Sequence, residues 1–244
     1  MDKSELYDKM AERKIKPKDF LPYAGDNGRV NKAASLIKSG YLSSGGTLVD
    51  VGGAIGDLGY AVKDLFDKRV IVDISYKNLE AAAAKGNVTY ISDVDREGMK
   101  DIKSGEVTLV TALDFIEHIV DPGNFARECF RILRSRGEIF INTPNIQYWE
   151  HIVQLVHGRF PHTSGDREVY HGGHLAFYTY LDLCEIFGSV GFTEFEQVND
   201  VEGFRQPPAT FNATFMPTVK TQAEYVTFSM RFGSPNLLFK AVKP

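Results

Sequence analysis

The sequence predicts an α/β protein built on a doubly wound parallel sheet with helices on both faces. From about residue 47 to residue 142, short apolar runs alternate with segments whose apolar residues recur at helical spacing. This alternation is typical of βαβ units, whose crossover helices cover a parallel sheet. The first apolar run ends in an acid and a turn of small residues, and ligands bind at that position in such sheets.

The elements follow in chain order from these patterns. Segment 29–39 has apolar residues at helical spacing, and Gly40 ends it. Ser75 suits the N-cap of a helix over 76–84, and Pro122 suits the first turn of a helix that carries Leu133 on its apolar face. We expect strands at 47–51, 69–73, 88–91, 107–112, 138–142, 192–198 and 236–242, and further helices from residue 57 and over 179–189.

Three segments fall outside the alternation. Residues 1–27 predict a short polar helix and then a loop over 20–27, together forming an N-terminal lid or cap. Residues 143–173, rich in histidine and aromatic residues, predict a pocket-forming insertion, and residues 200–222 predict a second long loop. The chain length suits one large domain with such additions, so we expect residues 1–244 to form a single domain.

Composition and charge exclude several classes of protein. The 244 residues are 43% hydrophobic and 25% charged, which is typical of a soluble globular protein. The net charge of −4 provides no basic surface for nucleic acid, and no apolar run is long enough to span a membrane. The charged N-terminal stretch is not a signal peptide, so we expect a cytoplasmic protein. Cys129 and Cys184 lie on apolar helix faces and are expected to be reduced thiols.

The turn after the first strand is the candidate ligand site. It runs from Asp50 through Gly52, Gly53 and Ala54 to Gly56. Small residues let a ligand approach the main chain, because no large side chain stands in the way. The helix that follows offers unpaired N–H groups to a carboxylate or phosphate. An ordinary glycine turn of an α/β protein is the alternative interpretation of this stretch.

The spacing of the glycines indicates which nucleotide to expect. No frame fits the G-x-G-x-x-G order of dinucleotide-binding turns. The order that fits is acid-x-G-x-G-x-G, with Asp50, Gly52, Ala54 and Gly56 on the marked positions. Here the chain resembles the class I methyltransferases that use S-adenosylmethionine (SAM), with alanine at their usual middle glycine.

Further cofactor residues follow from the strand ends. Asp73, followed by Ile74, ends the second strand about 20 residues after the turn, where an acid accepts hydrogen bonds from ribose hydroxyls. The resemblance implies that Asp93 contacts the adenine amino group and that Val94 lies against the ring. The alternative for Asp73 is a solvated acid in a loop, and the alternative for Asp93 is a helix N-cap. We also expect Ala112, at the end of the fourth strand, to border the cofactor.

The resemblance continues beyond the cofactor half and covers roughly residues 28–200. It rests on Glu117-His118 followed by Asp121-Pro122, on segment 131–145, on segments 158–161 and 174–179, and on Gly191-Phe192. Arg136 stands where the family usually has glycine. This set resembles a subgroup associated with glycan biosynthesis. It implies a Rossmann-like, seven-stranded mixed sheet of order 3-2-1-4-5-7-6 with the last strand antiparallel, and it makes 143–173 an acceptor-side insertion.

Methyl transfer from SAM needs an aligned acceptor and, for a hydroxyl, removal of a proton. The candidate catalytic residues are Asp114, Glu117 and His118, after the fourth strand, and the distant His174. Glu117 and His118 follow Asp114 by three and four residues, so one helical turn would put them on a common face with it. His118 suits a general base near neutral pH. The four also resemble the set that holds magnesium in the small-RNA 3′-terminal 2′-O-methyltransferases. A divalent metal is therefore an option, without assigned ligands, and a purely structural Glu-His pair is the other. We expect the four side chains to converge on one cavity.

These observations predict a SAM-dependent methyltransferase acting on a small polar acceptor. A hydroxyl of a sugar or sugar-like intermediate, in glycan or natural-product biosynthesis, is the favoured acceptor, because base candidates are present. A nicotinamide-dependent oxidoreductase and a non-catalytic, methyltransferase-like partner subunit are the alternatives. The acidic balance disfavours an RNA substrate. No membrane or nucleic-acid partner is expected, and a homodimer stays open.

Overall fold

The computed structural model describes residues 3–16, 25, 27–161, 173–198, 204–215 and 231–244. Within these ranges, seven strands form one open sheet in the order β3-β2-β1-β4-β5-β7-β6. The predicted mixed sheet and its order are confirmed. The strands are β1 (Thr47–Val51), β2 (Lys68–Asp73), β3 (Val88–Ile91), β4 (Val107–Leu113), β5 (Leu133–Pro144), β6 (Thr193–Val198) and β7 (Asn236–Val242).

The pairing of the strands fixes where a ligand can bind. β1 pairs in parallel with β2 and β4, and β3 and β5 extend the parallel part on either side. β7 runs antiparallel to β5 and to β6. The carboxyl ends of β1 to β5 therefore meet at one edge of the sheet, which is the edge where open α/β sheets bind ligands.

Helices cover the sheet, and none in the described ranges has both the length and the apolar character needed to cross a bilayer. They are α1 (Lys3–Lys14), α2 (Gly28–Lys38), α3 (Asp57–Ala61), α4 (Tyr76–Ala84), α5 (Val94–Glu97), α6 (Pro122–Ile132), α7 (Trp149–Val156), α8 (Tyr180–Gly188) and α9 (Ala209–Phe215).

The hydrophobic core has a layer on each face of the sheet. Along β1, Leu48 joins a cluster with α2 and α3, whereas Val49 and Val51 join a cluster with α6 and α8. All three side chains are fully buried. A strand covered on both faces in this way has a nearly continuous apolar sequence, which is why β1 was recognisable.

Local capping explains where several helices begin. The Ser75 hydroxyl accepts a hydrogen bond from the N–H of Asn78 at the start of α4. Thr179 and Asp182 form a reciprocal capping box at the start of α8. Pro122 occupies the first turn of α6, where the missing N–H costs no hydrogen bond. These starts agree with the sequence expectations.

The structure differs from those expectations in three places. Strand β5 begins at Leu133, so this residue belongs to the strand and not to the apolar face of α6. The helix α7 occupies part of segment 143–173, and α9 lies within segment 200–222. Parts of the predicted loops lie outside the described residues, namely 20–24 and 26, 162–172 with His162 and His171, 200–203 and 216–222. Cys129 is buried and Cys184 is half-buried, and both are free thiols.

Candidate active site

A cavity of about 510 Å³ opens at the carboxyl edge of the sheet. The turn after β1, the ends of β2, β3 and β4, and the helix α1 all contribute to its wall. Eight of the ten predicted cofactor residues line it: Asp50, Gly52, Gly53, Ala54, Asp73, Ile74, Asp93 and Val94. Gly56 and Ala112 are not part of the lining.

The turn after β1 has a backbone that suits small residues. Gly52, Ala54 and Gly56 all have positive φ angles, of 68°, 44° and 71°. A Cβ added to Gly53 would lie 2.6 Å from the Asp50 carboxylate. Ala54 stands where the family pattern usually has its middle glycine. Its positive φ is a left-handed conformation, which costs an alanine about 1 kcal/mol.

Side chains from the connection between α4 and β3 support this turn from behind. The amide Nδ2 of Asn87 donates to the carbonyl of Gly56 at 3.2 Å. Lys85 is buried, donates to the carbonyl of Ile55 at 3.0 Å, and forms an ion pair with Asp57. The sequence pattern did not identify either residue, because only the fold brings them to the turn.

Asp73 links the end of β2 to the turn. Its carboxylate accepts hydrogen bonds from the backbone N–H of Ala54 at 3.0 Å, from the N–H of Ser75 at 2.8 Å, and from the amide of Asn78 at 3.3 Å. Burial raises the pKa of Asp73, and these hydrogen bonds oppose the rise. A carboxylate held in this way has a fixed orientation toward the cavity that it lines.

Asp50 is the more deeply buried of the two acids. Its carboxyl accepts a hydrogen bond from the hydroxyl of Thr111 at 2.7 Å. Burial raises the pKa of Asp50 to about 7, the Thr111 hydroxyl opposes the rise, and the charge of Asp73 adds to it. The floor of the cavity thus carries a carboxyl group that changes charge near neutral pH.

The remaining predicted cofactor residues lie farther along the sheet edge. Asp93 precedes α5, and its side chain faces Lys3 at 3.6 Å and Arg96 at 3.7 Å. Val94 begins α5 and is buried. Ala112 is fully buried within β4, which separates its side chain from the cavity.

Two of the four predicted catalytic residues, Asp114 and His118, line the cavity. Asp114 has a φ angle of 51°, and its carboxylate accepts hydrogen bonds from Arg29 and from the amide of Asn142. Only residues 116–118 form a helical turn, a 3₁₀ turn. Asp114 lies outside this turn. It therefore does not share a helix face with Glu117, although the three-residue spacing predicts one.

The other two candidates lie behind His118. Glu117 is fully buried and accepts a hydrogen bond from the Thr143 hydroxyl at 3.0 Å. The His174 Nε2 is 3.9 Å from the Glu117 carboxylate, and the rings of His118 and His174 lie 4.8 Å apart between centroids. The structure therefore brings these three side chains together, and His118 is the member that reaches the cavity.

This cluster has the composition of a cation site. The candidate ligand atoms of Glu117, His118 and His174 lie within 4.8 Å of one another, and Asp114 is not a member of the group. Two imidazoles and one carboxylate suit a transition metal better than magnesium, which prefers oxygen ligands. The buried hydrogen bond from Thr143 to Glu117 also suits a purely structural role.

The residues that line the cavity include three charged or aromatic ones that the sequence patterns did not identify. Arg29 lies in the first turn of α2, and Lys3 and Tyr7 lie on α1. These helices precede the glycine turn in the chain, and no spacing rule connects them to it. A basic or aromatic residue on an amphipathic helix is more often a surface residue, so only the fold reveals their position.

Comparisons with known proteins all find methyltransferases. A family profile described as a methyltransferase domain matches residues 13–197. A ubiquinone biosynthesis O-methyltransferase of Psychrobacter arcticus is 24% identical over 199 residues, which is 75% of each chain. A protein of the same name from Caulobacter vibrioides is 30% identical over 103 residues, 41% of each chain.

Solved structures share the fold at lower identity. A methyltransferase in complex with the Haloferax volcanii Trm112 activator has a TM-score of 0.63 and 20% identity, over 100% of this chain and 98% of that one. A phosphoethanolamine N-methyltransferase of Haemonchus contortus, solved with S-adenosylhomocysteine, has a TM-score of 0.58 and 18% identity, over 88% of this chain and 52% of that one.

Proposed function

We propose that this chain, which belongs to the methyltransferase-domain family and is a SAM-dependent methyltransferase, methylates a hydroxyl of a small acceptor. The proposal rests on the hydrogen bond that the Ala54 N–H donates to the Asp73 carboxylate. It joins the two elements expected to hold the ribose and the methionine end of one ligand. The nicotinamide alternative has no support in the family match.

The cofactor is proposed to lie along the carboxyl edge of the sheet. Asp73 would accept hydrogen bonds from the ribose hydroxyls, because one carboxylate offers two acceptor oxygens. Asp93 and Val94 would border the adenine. The turn from Gly52 to Gly56 would let main-chain atoms approach the methionine end, and Arg29 would place a cation near its carboxylate.

The chemical step is an in-line displacement. The acceptor oxygen forms a bond to the methyl carbon while the carbon–sulfur bond of the sulfonium breaks, and S-adenosylhomocysteine leaves as a neutral thioether. The hydroxyl proton is proposed to pass to an imidazole nitrogen of His118, which is the histidine that lines the cavity. Glu117 and His174 would hold that ring in position. Should a cation occupy the cluster, His118 would be one of its ligands and not the base, and the cation would instead lower the pKa of the hydroxyl.

Oxygen is preferred over nitrogen as the acceptor atom for two reasons. A base candidate lines the cavity, and an amine that binds in its neutral form needs less help in losing a proton. The curated relatives are also named as O-methyltransferases. The structural neighbours include an N-methyltransferase, but their low identity supports only the fold.

Two classes of acceptor hydroxyl fit the proposal. A sugar hydroxyl remains the prediction from sequence. The names of the relatives favour a second class, a hydroxyl on a ring compound related to ubiquinone. Phe115 and Ile119 line the cavity next to His118 and provide an apolar surface, which supports this second class.

The proposal is tested in two steps. Thermal-shift titration with SAM and with NAD should show stabilisation by SAM alone, because a ligand that binds the folded state raises its apparent stability. Transfer of a labelled methyl group from SAM is then measured with nucleotide sugars and with hydroxylated quinone precursors. Stabilisation by NAD, or transfer only to amines, would contradict the proposal. Absence of SAM binding would instead favour the partner-subunit alternative, which an added activator protein would test.

A further inference from the structure

Helix α1 lines the cavity and lies outside the hydrophobic clusters that join the sheet to its helices. Tyr7, Met10 and Ala11 contribute to the cavity wall. No described residue of α1 belongs to those clusters, although Ala11 is buried and the helix packs against α4. Polar contacts with the ends of the strands add to this packing.

One of these contacts is an ion-pair group at the start of the helix. The Lys3 ammonium donates to the Asp95 carboxylate at 2.9 Å and lies 3.6 Å from Asp93. Asp93 ends the loop after β3 and lines the cavity. The first turn of α1 is thus tied to the place where the adenine is proposed to bind.

Two further contacts tie the helix to the end of β2. The Ser4 hydroxyl donates to the carbonyl of Ile74 at 2.9 Å. The Asp8 carboxylate accepts a hydrogen bond from the Ser75 hydroxyl at 2.7 Å. Both partners directly follow Asp73, the proposed ribose acceptor. Helix α1 therefore lies across the ends of β2 and β3, and one residue between Ser4 and Asp8 lines the cavity.

That residue is Tyr7. Its side chain is half-buried, and burial raises the pKa of its hydroxyl. Lys3 opposes this rise, and the charges of Asp73 and Asp93 add to it, so the hydroxyl lies in the electrostatic field of both acids. Tyr7, Asp73 and Asp93 line the same cavity, so an adenosine held by the two acids would lie within reach of this ring.

We propose that Tyr7 is a cofactor-contacting residue, whose ring packs on the adenosine while Asp73 and Asp93 hold its polar edges. The inference rests on the proposed placement of SAM in this cavity. It makes α1 a wall of the cofactor site, which polar contacts join to the ends of β2 and β3.

The experiment measures binding of two probes to the full chain by calorimetry. S-adenosylhomocysteine carries both the adenosine and the amino-acid part, and 5′-methylthioadenosine carries only the adenosine. Tyr7→Ala should raise the Kd of both probes by about fivefold or more, because loss of aromatic stacking acts on the part they share. Tyr7→Phe should retain binding of both. Glu12→Ala, on the exposed face of the same helix, is the matched control and should bind both probes normally.

The same measurements separate this inference from the proposed function. Unchanged Kd values for Tyr7→Ala, together with weak binding by Asp73→Asn, would overturn the inference and leave the cofactor site in place. Unchanged Kd values for both variants would overturn the placement of the cofactor as well. Arg29→Met should weaken only the probe with the amino-acid part. If Tyr7→Ala lowers the melting temperature of the ligand-free protein, Tyr7→Leu, which keeps the bulk without the aromatic ring, carries the test.

Discussion

The imidazole of His174 lies edge-on against that of His118, with 4.8 Å between the ring centroids and an angle of 67° between the planes. These residues are far apart in the chain, and the Glu117 carboxylate lies 3.9 Å from the Nε2 of His174. His118 borders the cavity, and we propose that His174, behind it, holds the His118 ring in position.

The first prediction concerns the base. His118→Gln should lower kcat by about a hundredfold, because proton transfer by a positioned base contributes that much or more. The Kd for S-adenosylhomocysteine should stay the same. His157→Gln is the matched control, because His157 is exposed and contacts its own helix. An equal loss of kcat in both variants, or full activity in His118→Gln, would contradict the assignment.

Asp73 provides the second prediction. Asp73→Asn should raise the Kd for S-adenosylhomocysteine at least about tenfold, because a hydrogen bond to a charged group contributes about 1.5–3 kcal/mol. Calorimetric titration measures it. Asp101→Asn, at an exposed position away from the cavity, should bind normally. Normal binding by Asp73→Asn would place the ribose elsewhere.

The third prediction uses the backbone of the glycine turn. Ala54→Gly should increase the free energy of unfolding by about 1 kcal/mol, because glycine adopts a positive φ without a steric penalty. Ala83→Gly, at an exposed position within α4, should lower it by about the same amount. Urea unfolding of both variants checks the prediction. A loss of stability in Ala54→Gly would show that the turn is not strained.

The fourth prediction follows from the raised pKa of Asp50, about 7 in the folded protein against an ordinary value of 3.8. The folded state holds this proton more tightly, so the stabilisation is complete below about pH 4 and is lost as the pH rises through 7. Ligand-free protein should therefore lose stability between about pH 4 and pH 7, where the unfolded chain ionises at this residue and the folded chain does not; urea unfolding measures the loss. Asp50→Asn, which cannot ionise, should lose less over this interval. An equal loss in both proteins would mean that Asp50 is ionised throughout.

The regular part of this fold was predictable because local patterns and the fold agree. The strand β1 has a nearly continuous apolar sequence, and Ser75 caps α4 at the expected residue. The start of β5 was not predictable from helical spacing. Leu133 continues the apolar face of α6, yet it pairs with Val107 as a strand residue. Such a pairing depends on a neighbouring strand and leaves no trace in a local window.

The site was predictable to the extent that it lies after strands. The turn residues and Asp73 follow from their position in the alternation, and the structure places them on the cavity. Tyr7 and Arg29 come from helices that precede the glycine turn, and their approach depends on tertiary contacts alone. Glu117 also shows this limit, because the left-handed backbone of Asp114 breaks the helical spacing on which the expectation relied.

The position of β7 has a consequence for synthesis of the protein. This strand comes last among the described elements, yet it lies between β5 and β6. During translation the half of the sheet built from β1 to β4 can form while the chain is still growing, whereas β5 and β6 must wait with their facing edges unpaired. We therefore expect nascent chains that stall before residue 236 to expose these unpaired strand edges and to bind chaperones.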